Sequence, residues 1–85
     1  MIDANDIYRL SRAVDKTVRI TTVEGEIFTA KVILVEVQAR ELIHKLISTS
    51  TPERYKRMGK ALHGGTYLIP FDYISRIETD PDASE

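Results

Sequence analysis

The chain has no cysteine. That excludes a disulfide and a thiolate metal site, and it suits a reducing compartment. Long apolar runs are missing too. The longest are stretches such as Val32-Ile33-Leu34-Val35, far short of the roughly 18 residues a membrane-spanning helix needs. The opening residues, Met1 to Asp6, are acidic where a secretory signal would be basic. The expectation is a soluble, cytoplasmic protein with no membrane partner. Charge of one sign is not in excess either. Twelve basic and 13 acidic side chains leave a net charge of -1, which argues against a protein that coats a duplex through bulk charge. Internal repeats and low-complexity tracts are also absent.

Length sets the next limit. Eighty-five residues make one domain. A domain this small buries only about 60–65% of the surface its unfolded chain exposes, so without a staple it gains stability from a partner surface. Hydrophobic residues are 42% and charged residues 29% of the chain, an ordinary globular balance. The charge is unevenly distributed. Residues 1–50 carry seven basic and seven acidic side chains. Residues 51–65 carry Arg54, Lys56, Arg57 and Lys60 against Glu53, a net of +3, and residues 66–85 have a net of -4. Such runs are either solvated faces or a local anion-binding patch.

The pattern predicts a short helix first. Asp3 or Asn5 is a cap, and Ile7, Leu10 and Val14 form one apolar stripe. Thr17 to Val23 alternates as a β-strand, Glu24-Gly25 is a tight turn, and Glu26 to Val37 is a long β-branched stretch. The apolar phase of that stretch changes midway, as in a strand that bends or is buried on both faces. Residues 39–47 are ambiguous, because Ala39, Leu42, Ile43, Leu46 and Ile47 match the helical template. Thr51, Pro52 and Glu53 are also helix-start signals, and Gly64-Gly65 a stop. Thr66 to Ile69 reads as a strand, Pro70-Phe71-Asp72 as a turn, Ile74 to Thr79 as a final strand, and the residues from Pro81 on as a frayed acidic tail.

In this order the chain resembles the Sm-like (LSm) proteins over roughly residues 6–79. Val18-Arg19-Ile20 leads to Gly25 at the turn. Ala30 and Val32 stand where the family has a glycine and an apolar residue. Val35-Glu36 matches an apolar–acid pair, and Ala39-Arg40 stands where the family has Met-Asn. The apolar frame of the second motif is kept in Ile69-Pro70-Phe71-Asp72-Tyr73-Ile74-Ser75-Arg76-Ile77, but its Arg-Gly pair is replaced by Pro70-Phe71.

The resemblance implies a mostly β domain over 1–79: an N-terminal helix and a five-stranded, strongly bent open barrel, followed by the acidic tail at 80–85. It implies a strand at 40–49, against the periodicity, and a long variable loop at about 50–65 with room for a helical turn or two. It further implies a closed homo-oligomeric ring, joined by strand four of one subunit and strand five of the next, that binds single-stranded RNA at its pore and loops.

On that reading Glu36 and Arg40 lie near the pore, Phe71 is either a stacking face or a core plug, and Arg54, Lys56, Arg57 and Lys60 contact phosphates. Tyr55, among those cations, either stacks a base or holds its loop down. The loss of the Arg-Gly pair, together with the acidic tail, suits the alternative of a scaffold or protein-interaction ring that has given up RNA. An enzyme is not expected, nor a cofactor or a metal. His44 and His63 lack ligand spacing, Ser48, Thr49 and Ser50 have no evident base, and Gly64-Gly65 lacks the continuation of a phosphate loop.

Overall fold

The structure is a computed structural model and describes residues 2–79. The tail expected at 80–85 lies outside the described residues. Asp3 opens helix α1 (Ala4–Ser11) with a reciprocal cap. The Asp6 N–H donates to the Asp3 carboxylate at 2.9 Å, and the Asp3 N–H donates to the Asp6 carboxylate at 3.2 Å, satisfying two donors that lack intrahelical partners. Leu10 is fully buried and Ile7 packs against the core. The expected stripe breaks at its end. An eight-residue helix makes only about two turns, so Val14 lies beyond it, exposed, and Ala13 enters the core instead.

Strands β1 (Thr17–Thr22) and β2 (Ile27–Glu36) form an antiparallel hairpin. Gly25 in its turn has φ +86°, a conformation glycine adopts without a steric clash. The change of apolar phase in β2 is a bulge. Register shifts between Val32 and Leu34, leaving Ile33 unpaired against the next strand. Val32 before the bulge and Val35 after it both turn to the core, while Leu34 is exposed.

That next strand, β3 (Glu41–Thr49), occupies the segment whose periodicity reads as helix. A second bulge explains the mismatch. Thr29 pairs with Ser48 and Ala30 with Leu46, so Ile47 drops out of register and is exposed. The Leu46-Ile47 doublet is thus an interrupted strand rather than a helical face.

Residues 50–65 contain the helical turns expected of the loop and, beyond that expectation, a short strand. Helix α2 (Pro52–Met58) leads to a two-residue strand β4 (Lys60–Ala61) and a 3-10 turn at His63–Gly65. The chain then forms β5 (Thr66–Pro70), a 3-10 turn at Phe71–Tyr73, and β6 (Ile74–Thr79). The strand order is β4-β5-β3-β2-β1-β6, with antiparallel neighbours throughout. The sheet has six strands, not five. Gly64 and Gly65, at φ +71° and +76°, fold β4 back onto β5, and this hairpin is the addition. The sheet is open, with β4 and β6 at its ends. Leu10, Ile20, Phe28, Leu42, Ile69 and Phe71 are central in a single core. No helix among the described residues is long and apolar enough to cross a membrane.

Candidate nucleic-acid interface

Two loops carry the expected pore residues: 37–40 between β2 and β3, and the 3-10 turn Phe71–Tyr73 between β5 and β6. The sheet brings them together. The Phe71 N–H donates to the Arg40 carbonyl at 2.8 Å, extending the β3–β5 ladder by one pair. Arg40 is held at φ +56°, the left-handed conformation that side chains disfavour. Its guanidinium lies 3.4 Å from the Asp72 carboxylate and 5.7 Å from the centre of the Phe71 ring.

Phe71 itself is fully buried. Of its two expected roles, stacking face or core plug, the structure has it in the core, with the guanidinium over the ring. Burial of the Phe71 side chain follows from its hydrophobicity. Glu36 closes β2, exposed, with Glu41 opposite it in register.

The four cations of the 51–65 segment separate into two groups. Arg54 is committed to Glu26, Nη1 to Oε1 at 3.5 Å. The Glu26 side chain is only 3% exposed, and its other oxygen accepts a hydrogen bond from the Thr51 hydroxyl. Glu26 therefore clasps the start of α2. Lys56, Arg57 and Lys60 are exposed and make no ion pair with a described residue.

Tyr55, between them, points inward and is 1% exposed. Its hydroxyl donates to His44 Nε2. The donor assignment follows from the other ring nitrogen. Nδ1 lies 3.4 Å from the Leu42 carbonyl, which can only accept, so the neutral ring carries its proton on Nδ1. Phe28 stacks on His44 at 5.3 Å, and Tyr67 meets Tyr55 edge-on at 4.9 Å, arrangements the ring quadrupoles favour. Burial pushes the His44 pKa down to about 4, only partly offset by the Leu42 carbonyl, and burial together with neighbouring Tyr67 raises that of Tyr55. Both groups are therefore neutral near pH 7. Tyr55 is the anchor of α2, not a stacking surface for a base.

One further basic feature lies apart from the expected site residues. Arg9, Arg12 and Lys16 line a cavity of about 230 Å³ with Thr17 and Thr79. The three cations recur at i, i+3 and i+7, a signal visible in the sequence, although Arg9 also pairs with Asp6 at 3.3 Å. Among the described residues there is no cluster of His, Asp and Glu suited to a metal ion.

The chain thus belongs, by its architecture, to the mostly β proteins with an N-terminal helix and an open antiparallel sheet. No protein-family model matches it, and no curated protein or solved structure does.

Proposed function

We propose that this chain is an Sm-like module that works as a protein-interaction scaffold and has given up the family's nucleotide pocket. The N-terminal helix, the β1–β2–β3 meander, and the return of the last strand to β1 support the Sm-like reading. The observation that carries the loss of the pocket is the contact of Arg40 with Phe71 and Asp72. The two loops that would grip a base are filled by their own side chains. A base entering there would have to displace an ion pair, and it would find a buried phenyl ring instead of an exposed stacking face.

The test is oligo-uridine binding by the wild-type protein and by Arg40→Ala, at about 50 mM salt where phosphate contacts are strongest. On this reading Arg40→Ala changes nothing. A several-fold loss of affinity on that substitution would contradict it.

A second reading has its own observation. Exposed Lys56, Arg57 and Lys60 remain available to a phosphate backbone. Single-stranded RNA bound there would dissociate as salt rises, with a slope of roughly 0.7 per phosphate neutralised. Replacing the three by alanine would abolish it while Arg40→Ala would not.

A further inference from the structure

We propose that the outer edge of β6 is a self-pairing surface: two copies of this chain join β6 to β6, antiparallel, about a two-fold axis at Ile77. This rests on edge geometry and charge order, and it stands whether or not the scaffold reading holds.

The directions of the backbone groups follow from hydrogen bonds on either side. The Thr22 N–H donates to the Glu26 carbonyl, and the Val23 N–H donates to the Tyr73 carbonyl at 2.9 Å. Even-numbered residues of β1 thus face β2, and odd-numbered ones face β6. Arg19 pairs with Glu78 and Thr21 with Arg76. In an antiparallel ladder the backbone groups of successive residues alternate in direction. Arg76 and Glu78 therefore bond to β1, while Ile77 and Thr79 turn their N–H and C=O groups away from it. No described residue pairs with that outer side. Such a row of unpaired groups is a template for another strand.

The occupant is chosen by charge. A two-fold axis normal to the sheet keeps partners on the same face, so it can be centred on residue 76, 77 or 78. Centred on residue 76, it sets Arg76 against the partner's Arg76. Centred on residue 78, it sets Glu78 against the partner's Glu78. Centred on Ile77, it sets Arg76 against the partner's Glu78, twice, and lets the two Ile77 residues exchange both backbone hydrogen bonds. Opposite charges directly across a pair of strands stabilise and like charges destabilise, so one register is selected. Glu78 already faces Arg19 of its own chain at 3.4 Å, and the pairing extends this into an Arg–Glu–Arg row on each side of the axis. The register shift at Thr21/Thr22 leaves Ser75 as a bulge and ends the regular stretch. The contact is short, and the dimer is concentration-dependent.

Native mass spectrometry and sedimentation across a dilution series up to about 100 µM test this. Wild type should pass from monomer to dimer. R76E and E78R, each verified as folded by circular dichroism, should both stay monomeric, since each sets like charges across the axis. Mixing R76E with E78R should restore a dimer containing one of each. A wild-type chain that is monomeric throughout, a closed assembly of five or more chains, a dimer that survives R76E, or a mixture that fails to pair would each overturn the proposal.

Discussion

At one end of the sheet, β5 carries its own cover. Its outward-facing groups belong to Thr66, Leu68 and Pro70, because Phe71 bonds to Arg40 on the β3 side and directions alternate from there. The Leu62 N–H donates to Thr66, Lys60 stands opposite Leu68, and Pro70 has no N–H to offer. At the other end, β6 has no proline over Ile74–Thr79 and no described partner on its outer side. One chain therefore treats its two edges in opposite ways. Edge protection in a small sheet is local, built from a hairpin and a proline, and it need not be applied where pairing is useful. A ring joined through β5 and β6 would first have to lift β4 off β5.

The comparison can be broken most severely at the covered edge. Tyr55→Ala removes the anchor of α2 and leaves His44 Nε2 without its donor. By analogy with large-to-small aromatic changes the cost is about 3–5 kcal/mol, read by urea unfolding. A loss below about 1 kcal/mol would mean that Tyr55 does not hold α2 down.

Acid should act on the same anchor. The His44 pKa falls from 6.5 in the unfolded chain to about 4 in the fold, so the folded state refuses a proton that the unfolded state accepts. The stability tied to its neutral form is fully present above pH 6.5. It is lost progressively as pH falls toward 4, by about 3 kcal/mol in all. Unfolding measured at pH 7 and at pH 4.5 should show most of that difference, and His44→Gln should flatten it. An equal slope in the variant would assign the acid sensitivity to other groups.

A smaller effect is expected from Lys60→Pro, which deletes one β4 donor to β5 at a cost of about 0.5–1.5 kcal/mol. It should uncover the β5 edge and raise the mass by light scattering. A mass unchanged from wild type would mean that Pro70 protects the edge unaided. The least is expected of Arg40→Ala. Its exposed ion pair with Asp72 contributes at most about 1 kcal/mol, and a larger loss would show that the guanidinium over Phe71 matters to the core.

The open edge was easier to read from sequence than the covered one. Ile74–Thr79 and the β1–β2 hairpin follow from β-branched alternation and Gly25. The bulge in β2 is one of the two readings its phase change offers, a strand that bends, whereas the bulge in β3 is not legible. Ile33 and Ile47 left their symptom in the pattern, a change of phase and a false helical period, but two unpaired residues in register produce both. β4 carries no pattern at all, since a two-residue strand is specified by the edge it covers rather than by its own residues. The candidate site divides the same way. The residues near 36–40 and 70–72 were marked by the family resemblance. That Arg40 would be tied to Asp72, and Arg54 to Glu26, depends on contacts between segments far apart in the chain, which spacing does not encode.

Residue-resolved amide hydrogen exchange at two protein concentrations tests the contrast between the edges most directly. The Leu68 amide, on the covered edge, should be protected equally in dilute and concentrated solution. The Ile77 amide, on the open edge, should exchange freely when dilute and slow markedly when concentrated. A Leu68 amide that exchanges freely, or an Ile77 amide indifferent to concentration, would contradict the account.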